Sequence, residues 1–244
     1  MAYGGGGFVR FARRLAALSL IALAAFLLIN RRSVVGDIII FGNSRFPEER
    51  IIGLSGVETG MDMRSLDAGA IAASVERDPY FQVEGVEFRG GDTVVITVRE
   101  SAPRALVSCM GVNLLIDGQC RMLKNANQTE PAEVLTVTGM EIASWKEGAR
   151  IESLSPYQTE SLELVLGAIA ERGVTGALTE LNLSNQYGIY LMTDTGVQIL
   201  LGDAEGLARK IMVFEACYAR MLDEGMRGGV LDISSGKNGY YRAS

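Results

Sequence analysis

The chain has 244 residues, 48% of them apolar, with 23 Lys plus Arg against 29 Asp plus Glu and no histidine. That length and apolar content support one or two packed domains, and a net charge of −6 with scattered cations excludes a nucleic-acid footprint. Without histidine the usual general base near neutral pH and the commonest imidazole metal ligand are missing, so ordinary serine or cysteine triads cannot be assembled. Nothing in the composition calls for a cofactor. Cys109, Cys120 and Cys217 lack the paired spacing of a zinc or redox motif. The thiols admit two readings: a Cys109–Cys120 disulfide in an oxidising compartment, or three buried inert thiols, the second being favoured.

Leu15 to Ile29 is apolar except at Ser19, with Arg10, Arg13 and Arg14 before it and Arg31 and Arg32 after it. At about 1.5 Å per residue the run reaches about 22 Å, short of the roughly 30 Å hydrocarbon layer, so the flanking arginines would snorkel or the bilayer would thin. Ala22-Leu23-Ala24 satisfies the small-x-small rule of a cleaved signal peptide. The run nevertheless continues past that point and closes in Asn30-Arg31-Arg32, which favours an uncleaved transmembrane helix over residues 15–30. A core helix would carry a polar stripe, and this segment carries none. Arg13-Arg14 lacks the flanking residues of a twin-arginine signal. Basic residues on both sides leave the orientation open on charge alone. A short N-terminus with no acidic residue puts residues 1–14 in the cytoplasm and the bulk outside it.

After the span, Asp37 to Asn43 is a short apolar run closed by a turn pair, as expected of a strand. Ser44, Pro47, Glu48 and Glu49 start a helix that Gly53 and Gly56 limit. Ala68, Ile71, Ala72 and Val75 predict a second helix, stopped by Asp78-Pro79. Val86 and Phe88, then Val94, Ile96 and Val98, alternate as two strands joined at Gly90-Gly91. The expected unit is a small open-edged sheet with two helices on one face.

Pro103 opens a second region rich in strands. Asp117-Gly118 predicts a tight hairpin between 113–116 and 119–123, and Lys124 to Pro131 predicts a polar loop. Leu162, Val165, Leu166 and Ile169 mark a helix ending at Gly173. Strands follow at 181–183, 189–192 and 197–201, then a last helix through Leu207, Ile211, Phe214 and Met221. Residues 230–233 and 239–242 predict terminal strands. The fold class is α+β: one transmembrane helix, a β-α-α-β-β unit, and a mixed, mainly antiparallel β domain with helices.

The first region, taken as residues 35–101, resembles a POTRA domain, and Val98-Arg99-Glu100-Ser101-Ala102-Pro103-Arg104-Ala105 resembles the Glu-x-x-Pro-x-Ala junction of the FtsQ/DivIB family. Further landmarks of that family follow in order: Leu115-Ile116-Asp117-Gly118, then Leu135-Thr136-Val137-Thr138-Gly139 without its proline. Leu200-Leu201-Gly202, the helix with Lys210, and Leu231-Asp232-Ile233 complete the set across residues 102–244. Tyr80-Phe81 stands where the family often has Trp-Val, and Ser234 where an arginine is common. The resemblance implies a single-pass inner-membrane protein of the division septum with its bulk in the periplasm. Such a protein holds FtsB and FtsL partners and has no catalytic residues.

In that family the last strand of the second domain offers an edge to FtsB, which assigns Gly239, Tyr240, Tyr241 and Arg242 as partner-binding residues. The alternative is that the two tyrosines close the domain's own sheet. Ile38 to Phe41 forms a similar edge, with core packing of its isoleucines favoured over partner binding. Two other functions carry less weight. Ser234-Ser235-Gly236-Lys237 has the Ser-x-x-Lys spacing of some acyl enzymes but lacks their companion motifs and helix context. A structural part of a secretion or polypeptide-transport apparatus is the alternative use of a POTRA domain, but no series of barrel strands accompanies it here.

Overall fold

The computed structural model describes residues 17–22, 33–109, 111–126 and 134–243. Residues 17–22 are helical, with Leu18, Leu20 and Ile21 exposed. The remainder of the expected membrane span lies outside the described residues, among which no helix is long and apolar enough to cross a membrane.

The first unit holds β1 (Asp37–Phe41), α1 (Glu48–Ser55), a 3-10 turn (Met63–Ser65), α2 (Ala68–Val75), β2 (Phe81–Arg89) and β3 (Thr93–Glu100). Its sheet runs β1-β3-β2, with β1 parallel and β2 antiparallel to β3. Local sequence accounts for the helices. Glu48 and Glu49 complement the positive end of α1, and Gly56 stops it at φ 69°. The Asp67 side chain accepts the Ala70 N–H at 2.7 Å and starts α2. Three residues, Gly90, Gly91 and Asp92, join β2 to β3 where two were expected; both glycines have positive φ, which a glycine adopts without steric cost, and the Asp92 N–H closes the turn on the Arg89 carbonyl at 3.4 Å. Ile51, Ile71, Val75, Phe81, Val94 and Ile96 fill the core between sheet and helices. Each such fully buried side chain contributes about 1.5 to 3 kcal/mol.

This unit also takes in the chain ahead of β1. Val35 is buried and donates its N–H to the Met61 carbonyl at 2.8 Å, while the Ser33 carbonyl accepts from Met63 at 2.9 Å. At the opposite end, Glu100 binds the loop before α1. Its carboxylate accepts the N–H groups of Ser44, Arg45 and Phe46 and the Ser44 hydroxyl.

Among the described residues the second unit is built on a nine-stranded sheet in the order β14-β13-β12-β11-β10-β7-β4-β5-β6. Its strands are β4 (Ala105–Cys109), β5 (Val112–Ile116), β6 (Met122–Ala126), β7 (Leu135–Thr138), β10 (Leu178–Asn182), β11 (Ile189–Thr193), β12 (Gln198–Gly202), β13 (Val230–Asp232) and β14 (Tyr240–Arg242). A hairpin of β8 (Ile142–Ser144) and β9 (Glu152–Ser153) stands apart. Antiparallel pairs predominate, while β7 lies parallel to both β4 and β10, and β12 parallel to β13. Two helices, α3 (Pro156–Arg172) and α4 (Leu207–Asp223), join the buried cluster with Val107, Val137, Leu181, Leu191 and Ile199. Proline at the start of α3 and left-handed Gly173 after its end fit the usual asymmetry of helix termini.

Several expectations are corrected. Asp117-Gly118 is not a two-residue turn: the loop runs from Asp117 to Arg121, closed by Asp117 N–H to the Arg121 carbonyl at 3.0 Å, with Cys120 at φ 60°. The Asp117 carboxylate stabilises it by accepting the N–H groups of Gln119 and Arg121. Lys124, Asn125 and Ala126 belong to β6 and not to a loop, and 127–131 lie outside the described residues. Cys109 and Cys120 are buried free thiols, whereas Cys217 is only half-buried. Burial pushes the Cys120 thiol up to about 12, and the charge of Glu163 adds to that.

Candidate functional site

The sequence-predicted site lies at one margin of the nine-stranded sheet. β13 enters parallel to β12, residues 233–239 reverse the chain, and β14 returns antiparallel to β13. Asp232 stabilises the reversal by accepting the Ser234 hydroxyl at 2.7 Å and the Ser234 N–H at 3.0 Å. Those two bonds, with the charge of Arg242 adding, hold its carboxyl below the ordinary 3.8. Ser234 to Lys237 therefore sits in a turn between strands, with Ser234 bound to a carboxylate, and not at the start of a helix where an acyl-enzyme serine would stand.

Hydrogen bonds to β12 fix which way the main chain of β14 points. Gln198 N–H donates to Gly229 O at 3.0 Å and Ile233 N–H donates to Leu200 O at 3.1 Å. The peptide groups of 229, 231 and 233 thus face β12, and those of Val230 and Asp232 face β14. Their partners are Arg242 and Tyr240. By alternation the N–H and C=O of Tyr241 point away from β13. Among the described residues no strand lies beyond β14, so this donor and acceptor occupy an open edge.

The four assigned residues are together but unlike. Tyr240 is 62% exposed. Tyr241 is half-buried against the core, and its hydroxyl donates to the Gly228 carbonyl at 3.1 Å. Gly229 leaves it room, since a Cβ there would lie 2.9 Å from Tyr241 ring and hydroxyl atoms. Gly239 is bare for a similar reason: a Cβ would approach the Cys217 sulfur to 2.6 Å. Arg242 is exposed. Tyr241 closes the sheet with its side chain, then, while its main chain remains available. Of the other edge, β1, Ile40 is buried and Ile38 half-buried against the core, but Ile39 and Phe41 are exposed.

Two buried polar devices near this margin were not singled out as such from sequence. Lys210, only 5% exposed, donates to Asp203 Oδ1 at 2.7 Å and to the Asp203 carbonyl at 3.0 Å, which ties the β12–α4 loop to the helix. Tyr218 donates to Asp194 at 2.5 Å and contacts the Thr195 hydroxyl, bracing the β11–β12 turn. Burial, and then the Asp194 bond, push the Tyr218 hydroxyl above its ordinary value. A helix-borne Lys or Tyr at the core-facing spacing was the available signal.

A family profile described as a POTRA domain of the FtsQ type matches residues 33–101. Cell division protein FtsQ of Anaeromyxobacter sp. (strain K) is 28% identical over 196 residues, covering 80% of this chain and 65% of that one. Cell division protein FtsQ of Geobacter sp. (strain M21) is 26% identical, covering 72% and 64%. Cell division protein DivIB of Geobacillus kaustophilus (strain HTA426) is 28% identical, covering 56% and 51%. The chain thus spans less than two thirds of the length of these curated relatives. A solved structure, the major extracytoplasmic domain of the trans isomer of DivIB from Geobacillus stearothermophilus, aligns at 18% identity and a TM-score of 0.33, covering 52% of this chain and 98% of that one. Residues 33–101 thus match a POTRA domain of the FtsQ type, ending beside the Glu100 junction, and over 56% to 80% of its length the chain is similar to proteins named FtsQ and DivIB.

Proposed function

We propose that this protein is a single-pass inner-membrane component of the cell-division apparatus. It acts as a scaffold at the septum by holding FtsB/FtsL-type partners, with no chemistry of its own. Residues 15–30 cross the membrane, residues 1–14 lie in the cytoplasm, and a POTRA domain (35–101) and a β domain (102–244) lie in the periplasm. The relatives' names support the division role, and the apolar run between arginine clusters supports the anchor. The observation that carries the binding mode is the outward N–H and C=O of Tyr241 on the open β14 edge. An incoming strand would satisfy both groups, with Tyr240 and Arg242 offering side chains on the face away from the helices.

Ala243→Pro tests this directly, because alternation turns the Ala243 N–H outward and proline is tolerated where an edge N–H faces solvent. The variant should melt as the native chain does and lose at least about tenfold in FtsB co-purification, with Tyr240→Ala adding to the loss. Undiminished co-purification would remove β14 from the interface. Normal septation and cell length after depletion of the protein in its host would end the division role.

A further inference from the structure

The helical layer carries a second, chemically different surface. α3 and α4 lie side by side in the same direction: Arg172 pairs with Glu215 at 3.7 Å, and Leu164 borders the same groove as Ala208. Small residues line the seam between them. Gly167, Ala168, Ala204 and Ala208 leave a groove of about 600 Å³, floored in part by Leu207 and walled by Leu164, which is 55% exposed. A second groove of about 330 Å³ continues it through Leu164 and Ala204 toward Tyr187, which is 75% exposed. On the exposed side of α4, Ala208, Met212, Ala216 and Ala219 form an apolar stripe that the exposed charges Arg209, Glu215, Arg220 and Asp223 flank and interrupt.

The rims are acidic. Glu163 is paired with Arg150 and Asp203 with Lys210. The carboxylates of Glu160, Glu171 and Glu205, by contrast, have no side-chain partner among the described residues. Among the described residues Arg209 is the lone cation lining either groove. A trough with an apolar floor and unpaired carboxylates on its margins is complementary to an apolar ridge flanked by cations. From Glu160 to Glu171 the seam runs about 17 Å, or three helical turns.

We infer that this groove docks a basic amphipathic helix of a partner chain, with leucine-like side chains over Leu164 and Ala208 and Lys or Arg beside Glu160, Glu171 and Glu205. The site is separate from the β14 edge, so one body could hold a strand and a helix at once. It does not depend on the strand-pairing function proposed above.

The test uses the full chain and a labelled 15-residue helical peptide with leucines at i, i+3, i+4 and i+7 and lysines on both flanks. Fluorescence anisotropy should show saturable binding that weakens as salt is added. Glu160→Lys with Glu171→Lys, and separately Leu164→Asp at its exposed position, should each weaken it at least tenfold without lowering the melting temperature. Ala243→Pro should leave it unchanged, and the two groove variants should leave FtsB co-purification unchanged, which keeps the two surfaces distinguishable. Absence of saturable binding, equal binding of a peptide with glutamates for lysines, or full binding by the charge-reversed chain would overturn the inference. So would a dimer in sedimentation that Leu164→Asp abolishes, since a second copy would then occupy the groove.

Discussion

Glu100 and Ser44 are joined twice across the first unit: Oε1 accepts the Ser44 N–H at 2.9 Å, and Oε2 accepts the Ser44 hydroxyl at 3.1 Å. With the N–H groups of Arg45 and Phe46 added, one carboxylate organises the whole approach to α1. This gives a physical reason for a glutamate in the Glu-x-x-Pro junction. It sits at the end of β3, where only an acceptor with two oxygens can satisfy three consecutive backbone donors.

Glu100→Gln should destabilise the protein by about 1 to 3 kcal/mol, because the amide keeps one acceptor and turns a donor toward N–H groups. The loss should depend on pH. Burial pushes the Glu100 carboxyl up, but the bonds from Ser44, Arg45 and Phe46 outweigh it and hold the group below its ordinary 4.5. A carboxyl lowered by folding stabilises the native state above its unfolded value and loses that effect as pH falls through the folded one. Urea midpoints should therefore differ most between native and variant near neutrality and converge in acid below 4.5.

Gly239 and Cys217 should be energetically coupled. Gly239 has no positive φ to forbid alanine, so the objection to a side chain is the Cys217 sulfur at 2.6 Å and the Leu231 methyl at 3.1 Å. Gly239→Ala should cost about 1 to 3 kcal/mol by overpacking. Cys217→Ala in the same chain should recover at least about 0.5 kcal/mol of that in a double-mutant cycle. Strict additivity would show that β14 yields elsewhere.

Lys210→Met should loosen the β12–α4 loop, costing about 1 to 2 kcal/mol as the Asp203 carbonyl loses its donor. The Lys210 bond is also the chief reason the Asp203 carboxyl lies below its ordinary 3.8. An NMR titration should find it raised in the variant, the Glu205 N–H bond to the carboxylate keeping part of the depression, and faster hydrogen exchange at the first turn of α4 should accompany the change.

The first unit was legible because its elements follow one another in local periodicity and β2 and β3 form a local hairpin, although the parallel pairing of β1 with β3, Asp37 opposite Thr93, was not announced locally. In the second unit both helices and the strands β5, β6 and β10 to β14 were legible in whole or part, but β4, β7 and the β8–β9 hairpin were not, and neither was the strand order. β7 slides in parallel between β4 and β10, a pairing made by residues far apart in the chain, and no local pattern of Leu135 to Thr138 announces it. Lys124-Asn125 reads as loop by polarity, yet it pairs with Leu115 and Leu114. Cys120 sits in a left-handed conformation that glycine or asparagine would have signalled. At the candidate edge, neighbouring tyrosines look equivalent in sequence. The register placing Tyr241 opposite buried Leu231 and Tyr240 opposite Asp232 is what divides their roles.

The early capture of the chain at Ser33 and Val35 bears on how far this molecule can extend. Only Asn30, Arg31 and Arg32 separate the apolar run from Ser33, a leash of at most about 14 Å when fully stretched. Were that run the membrane span proposed above, the Ser33–Met63 contact would lie within that distance of the bilayer surface. On that proposal the first unit would begin beside the bilayer, and the linker would add little slack between the membrane and the folded chain.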